Sequence, residues 1–259
     1  MDARRLRYLD AMGIQAWEPR GGAAPALEEA RAARHGESPE QALPKPETAN
    51  SQAETRNPEP ETGGATAAPA DIATLDWAAL QQRVGACTLC PELVANRTQT
   101  VFGVGDRRAQ WLVIGEAPGA DEDARGEPFV GRAGQLLNAM LLAAGLPRER
   151  VYIANVLKCR PPDNRDPRPQ EAGNCEPYLQ RQIALIKPRL ILAVGRIAAQ
   201  NLLKCDTPIG KLRGRVHRYG DTPLVVTYHP AYLLRSPGEK RKSWDDLRLA
   251  IATAGQTTA

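Results

Sequence analysis

The chain predicts a three-layer α/β/α sandwich around a central, mainly parallel four-stranded sheet, and three observations carry that expectation. Four short runs, Trp111-Leu-Val-Ile-Gly115, Val151-Tyr-Ile-Ala-Asn155, Leu190-Ile-Leu-Ala-Val194 and Leu224-Val-Val-Thr-Tyr228, are apolar on both faces and rich in β-branched residues. Such runs suit strands buried on both sides, the usual condition of a parallel sheet covered by helices. Stretches of helical periodicity separate them, and that alternation is the mark of an α/β architecture. The runs also lead into chemically useful residues: Glu116, Asn155 and His229, up to 113 positions apart, fall at or just beyond strand ends. Open α/β sheets bind ligands beyond the carboxyl ends of their strands, so one site assembled from three strand ends is expected.

Taken in order, residues 1–20 place Leu6, Leu9, Met12 and Trp17 at nearly helical spacing among arginines, with Gly13 interrupting. This reads as a short amphipathic segment able to dock on the body or on a protein partner, or as a frayed helix without a role. Over residues 21–70 the only large apolar residues are Leu27 and Leu43, in a background of Ala, Pro, Glu, Gly and Thr. That composition cannot bury enough surface to offset its ordering entropy, so a disordered linker is expected over 21–72. From Asp71 the pattern turns globular, and the folded domain is expected over 73–255. Within it the periodicity predicts helices over about 75–84, 132–144, 170–186, 196–204 and 243–254 between the four strands.

The 259 residues, 42% hydrophobic, suffice for one sizeable domain plus an appendage. No apolar stretch approaches the roughly 18 residues needed to cross a bilayer. The start, Met1-Asp-Ala-Arg-Arg, lacks the apolar core of an export signal. A monomer in a bacterial-type cytosol is expected, without membrane association, and there cysteines serve more often as metal ligands or free thiols than as disulfides. The net charge of +4 hides an asymmetry: residues 1–74 carry −4 and residues 75–259 carry +8. A basic folded body is the electrostatic footprint of a polyanion partner such as DNA.

Cys87-Thr-Leu-Cys90 is a CxxC, followed by Cys159 and Cys175. Four thiolates can hold a [4Fe–4S] cluster or a tetrahedral zinc, and spacing alone leaves both open, along with four scattered buried thiols. Cys205, after Leu202-Leu-Lys, reads as a core residue.

Three linked blocks carry a family resemblance. Gly115-Glu-Ala-Pro-Gly119 with Glu122-Asp123 and Gly126-Glu-Pro-Phe-Val-Gly-Arg-Ala-Gly134, then Asn155-Val-Leu-Lys-Cys-Arg-Pro-Pro-Asp-Asn-Arg-Asp-Pro167, then His229-Pro-Ala-Tyr-Leu-Leu-Arg235, resemble the active-site blocks of the family 4 (type a) iron–sulfur uracil-DNA glycosylases. The resemblance covers residues 73–254. It implies that Cys87, Cys90, Cys159 and Cys175 ligate a structural [4Fe–4S] cluster, and that uracil is removed from DNA by hydrolysis of its N-glycosidic bond.

The residues suit that chemistry. A base inside a duplex must be flipped into a pocket that stacks its face and reads its edge. Phe129, one of two phenylalanines, is the candidate stacking platform. The Asn155 carboxamide, held in one orientation, meets the N3–H donor and O4 acceptor of uracil and clashes with the reversed pattern of cytosine. His229 is placed to donate to uracil O2 as charge builds on the leaving base. Glu116 is the candidate for positioning water and countering the cationic sugar. Better-known uracil-DNA glycosylases have an aspartate where this chain has Ala117 and an aromatic where it has Gly119, so here those two residues are expected to offer backbone contacts to the base. Glu122 is expected to help close the pocket. Lys158, Arg160, Lys211, Arg213, Arg215 and Arg235 are the expected phosphate contacts, and Leu233 or Leu234 the wedge into the space left by the flipped base. No lysine falls in the strand-end set, which implies water as nucleophile and no lyase step.

Two rival classes remain at this point. A cluster-bearing DNA-binding protein without catalysis would not require Glu116, Asn155 and His229 together, and a zinc deaminase would carry a His-x-Glu motif with a nearby CxxC, whereas the His35-Gly-Glu37 of this chain lies in the linker, 50 positions before Cys87.

Overall fold

The computed structural model describes residues 69–256; the expectations for residues 1–20 and for most of the 21–72 linker lie outside them. The described residues begin with helix α1 (Pro69–Ile72), followed by α2 (Trp77–Gly85) and α3 (Pro91–Asn96). Asp76 caps α2, its Oδ1 accepting the Ala79 N–H at 2.9 Å, an arrangement that offsets one of the unpaired donors at a helix start. Ile72 is 4% exposed and packs with Leu80, Val84, Phe102 and Tyr178. The packed body therefore starts ahead of residue 73, inside the segment expected as linker.

The four expected strands are present as β2 (Trp111–Gly115), β3 (Tyr152–Asn155), β4 (Leu190–Val194) and β6 (Thr222–Thr227), all parallel to one another. Two antiparallel edges complete the sheet, β1 (Val104–Gly105) beside β3 and β5 (Val216–Tyr219) beside β6. The order is β1-β3-β2-β4-β6-β5. The expected four-stranded sheet is thus the parallel centre of a six-stranded one. The edges escape sequence reading because β1 is two residues long and β5 alternates exposed and half-buried positions.

Strand alternation splits the core into two layers, since successive side chains point to opposite faces. Val113, Ile153, Leu192 and Val225 meet Leu137, Met140 and Leu141 of α5 (Arg132–Ala143) and Leu247 and Ala250 of α10 (Lys240–Gln256). Leu112, Ile114, Ala154, Ile191, Ala193 and Val226 meet Leu179, Ile183 and Ile186 of α6 (Pro169–Ile186) and Ala198, Ala199 and Leu202 of α7 (Arg196–Leu203). The remaining helices are α4 (Ala120–Arg125), α8 (Ile209–Leu212) and α9 (Pro230–Arg235). Cys205 packs at the margin of the second layer, as expected. No helix among the described residues is long and apolar enough to cross a membrane.

Register is what positions the site. Gly115 pairs with Asn155 across β2 and β3, and Val194 pairs with Thr227 across β4 and β6. The four parallel strands consequently end along one edge of the sheet.

Candidate active site

Asn155, the last residue of β3, is 2% exposed, and its Oδ1 is buried without a hydrogen-bond partner. Leaving a buried carbonyl oxygen unpaired costs about 1–3 kcal/mol, so native proteins keep such atoms rarely. The oxygen points toward a floor made by the facing strand. A methyl group on Gly115 would lie 2.5 Å from Asn155 Oδ1 and 2.6 Å from Phe129 Cζ, so only glycine lets both side chains converge there. Phe129 is buried, and its ring lies 5.6 Å from that of His229 with a 31° tilt. Gly195 makes room for the histidine: its φ of +98° suits glycine, and a methyl there would meet His229 Cβ at 3.0 Å.

The His229 tautomer follows from its neighbours. His229 caps α9, and its Nδ1 accepts the Ala231 N–H at 3.2 Å. Nδ1 is therefore unprotonated, and the neutral ring carries its proton on Nε2, as a donor. Burial lowers the His229 pKa to about 4, assisted by the positive charge of Arg235 and opposed by Glu122. Glu116, the residue after β2, shifts the other way: burial raises it to about 7, the charge of Asp166 adds to the rise, and Arg196 opposes it.

Glu122 holds a loop together. Its Oε1 accepts the N–H groups of Val130 at 2.9 Å and Gly131 at 3.3 Å, while Oε2 accepts that of Gly119 at 3.1 Å. The Gly119 N–H is thereby committed to Glu122. The Ala117 side chain packs against the cysteine patch with Leu93 and Leu157.

Three expected DNA contacts are corrected. Lys158 is 1% exposed, and its Nζ donates to Asn155 O at 2.9 Å and Gln182 Oε1 at 2.6 Å; it cannot reach a phosphate. Burial lowers its pKa to about 8, and the cysteines 159 and 175 oppose that shift. Arg213 pairs with buried Asp246 at 3.0 Å and lies 4.9 Å over the Tyr228 ring. Leu233 is 1% exposed, packed in the core under α9, whereas Leu234 is 38% exposed. Lys211, Arg215 and Arg235 are exposed, and Arg160 is half-buried with its Nε donating to Asn164 Oδ1 at 2.8 Å.

The four cysteines fall in two adjoining patches and come from three segments of the chain. Cys90, Cys159 and Cys175 share one apolar patch, Cys87 lies in the adjoining one, and charge on Cys87 or Cys90 is felt at Cys159. Among the described residues no three His, Cys, Asp or Glu side chains gather closely enough for a single metal ion. In a [4Fe–4S] cluster, by contrast, each thiolate binds a different iron. The surroundings suit thiolates: Arg97 Nη1 donates to Cys159 Sγ at 2.8 Å, Asn174 Nδ2 to Cys90 Sγ at 3.4 Å, and the buried Lys158 cation faces Cys159 and Cys175. Without ligated metal, burial pushes the Cys175 thiol up to about 12, and metal binding displaces such protons. Asn174 could be suspected from its place beside Cys175; nothing in the sequence singles out Arg97.

An unpaired amide oxygen, a neutral imidazole and an aromatic ring gathered at the strand ends suit a planar, polar ring. Comparison with known proteins agrees. Residues 102–248 match the uracil DNA glycosylase superfamily. The type-4 uracil-DNA glycosylase of Archaeoglobus fulgidus is 45% identical over 175 residues, 64% of this chain and 87% of the relative. That of Thermotoga maritima is 44% identical over 159 residues, covering 61% and 82%. A type-5 enzyme of Thermus thermophilus is more distant, 34% identical over 160 residues, covering 50% and 73%. The chain belongs to the uracil-DNA glycosylase superfamily and, within it, to the type-4 family.

The histidine pKa sets a test. The folded value, about 4, lies below the ordinary 6.5, so stability from neutral His229 is present above pH 6.5 and lost as pH falls toward 4. Denaturant unfolding of wild type and of His229→Gln is expected to differ in pH slope across this window, by roughly 3 kcal/mol in total.

Proposed function

We propose that uracil flipped out of DNA lies between Phe129 and Asn155, that His229 stabilises it as it leaves, and that Cys87, Cys90, Cys159 and Cys175 hold a [4Fe–4S] cluster. As a type-4 uracil-DNA glycosylase, the chain is a hydrolase that excises uracil from DNA, the opening step of base excision repair. The observation that carries the residue-level reading is the unpaired Asn155 Oδ1. The N3–H of uracil satisfies it, whereas cytosine presents an acceptor there and leaves two acceptors opposed. Sites built to pair a polar edge reject an analogue lacking it by several orders of magnitude.

The Nε2–H of His229 donates to O2, where negative charge develops as the N-glycosidic bond breaks. A preorganised donor of this kind is worth about 3–4 kcal/mol. The cation left on the sugar is countered by the Glu116 carboxylate, which also orients the attacking water. Lys211, Arg215 and Arg235 hold the phosphates, and exposed Leu234 fills the gap in the stack in place of Leu233. The bound cluster would cross-link the α2–α3 connection, the segment after β3 and α6, with a structural role. Lys158 is engaged by Asn155 and Gln182, so no amine is free to form a Schiff base there and the product is an intact strand with an abasic site. The enzyme acts as a monomer in the cytosol, and residues 1–20 recruit a protein partner, tethered by the linker expected over 21–72.

The direct test is incubation with a uracil-containing oligonucleotide followed by alkali. Strand cleavage only after alkali is expected; cleavage without it, or none at all, contradicts the reading. With Glu116 raised to about 7, the carboxylate prevails above neutrality, so kcat/KM should climb through pH 7. Glu116→Gln should be slower and lack that limb, whereas an unchanged profile removes Glu116 from the mechanism.

The cluster has its own test. Purified protein should be brown, with broad visible absorbance, and Cys175→Ala should lose iron, sulfide and thermal stability together. Full iron and sulfide in that variant contradicts the ligand set.

A further inference from the structure

Phe129 has a backbone φ of 55°, a left-handed conformation that costs an L-residue about 1–2 kcal/mol. Such strain persists only where the surroundings enforce it, and it clusters where a side chain must be aimed. Here the enforcement comes from both sides. The Arg148 guanidinium donates through Nη2 to Pro128 O at 2.6 Å and through Nη1 to Phe129 O at 3.3 Å. From the opposite side, Glu122 Oε1 accepts the N–H groups of Val130 and Gly131. The peptide after Phe129 is thus gripped at its carbonyl by a cation and at its N–H by an anion. Helix α5 closes on the same point: a methyl on Gly134 would lie 1.8 Å from Phe129 O.

Arg148 is itself anchored. Its Nη1 also donates to Asn138 Oδ1 on α5 at 3.2 Å, and burial lowers its pKa, opposed by Glu127 and Glu122. It sits in the single turn Arg148–Arg150 that leads into β3, the strand ending at Asn155. The turn entering β3 thus carries the arginine that holds the aromatic wall, and the end of β3 carries the amide that reads the base edge.

We propose that Arg148 is a positioning residue for uracil recognition, clamping left-handed Phe129 so that its ring stands in register with Asn155. This rests on the reading of Phe129 as the stacking platform. Arg148 touches no substrate atom and acts through Phe129. The planar fork is essential, because two carbonyls are gripped at once; a lysine keeps the charge but presents a single point donor.

The experiment is a double-mutant cycle in the full-length, cluster-loaded protein, using Arg148→Met, Phe129→Ala and the pair, with kcat and KM measured on a uracil-containing oligonucleotide. Arg148→Met is expected to lower kcat/KM about 10- to 100-fold, the range for a misaligned site. The pair should be no worse than Phe129→Ala alone, because coupled residues are non-additive. Arg148→Lys should lie between Arg148→Met and wild type, and serves as the readout if the methionine variant does not fold. Free uracil should inhibit both Arg148 variants more weakly than wild type. Multiplicative losses, or wild-type kinetics and inhibition in Arg148→Lys and Arg148→Met, overturn the proposal. So does a loss that tracks salt concentration, the mark of a phosphate contact. Unchanged kinetics in Phe129→Ala would instead overturn the pocket reading on which the proposal stands.

Discussion

The site depends on the pairing of Gly115 with Asn155 across β2 and β3. Parallel register brings the two residues side by side at the strand ends, and the missing side chain on Gly115 leaves the space in which Asn155 Oδ1 and the Phe129 ring converge. The other features adjust to that point. Gly134 allows α5 to close over the Phe129 carbonyl, and Gly195 allows His229 to stand against the end of β4. Four buried strands with interlocked register form a stiff frame, and stiffness is what a preorganised site requires.

Charge in the interior is arranged around the same strand. Beyond Asn155 the chain runs through Lys158 to Cys159, and Lys158 donates back to the Asn155 carbonyl. Among the described residues no carboxylate is paired with this buried ammonium; its electrostatic partners are Cys159 and Cys175. A lone buried charge is costly unless neutralised, and these two sulfurs would neutralise it as thiolates in the proposed cluster. Asn155 and the cysteine patch are therefore neighbours joined by one side chain. Asp246 and Arg213 form a second buried pair at the base of the β6 exit: burial raises the Asp246 pKa to about 6, and Arg213 opposes the rise.

Most of the fold was legible because burial on both faces leaves an unambiguous apolar run. The centre of the sheet shows this in Leu112, Val113 and Ile114, which serve two core layers at once. The edges were not legible, since β5 reads Val-His-Arg-Tyr and obeys pairing rather than composition. Phe129, Asn155 and His229, which the fold gathers, stand out in the sequence as motif or strand-end residues, as does Glu116. The side chains assigned to DNA were less so. Lys158 looks like surface among arginines, yet packing seals it. Arg213 lies in a basic run, yet Asp246, 33 positions later, captures it. Leu233 and Leu234 are equivalent in sequence, and only the helical phase of α9 buries one and exposes the other. Arg148 left no sequence signal, because its partners are two backbone carbonyls and Asn138, which no motif marks.

The most direct measurement is kcat/KM for uracil excision by Gly115→Ala. The added methyl meets Asn155 Oδ1 and Phe129 Cζ at under 3 Å, so one of them must move. An account built on their convergence predicts a loss of about 100-fold, the scale of an ångström's misplacement, with the thermal transition and cysteine patch largely kept. Wild-type kcat/KM in a folded Gly115→Ala enzyme would contradict it.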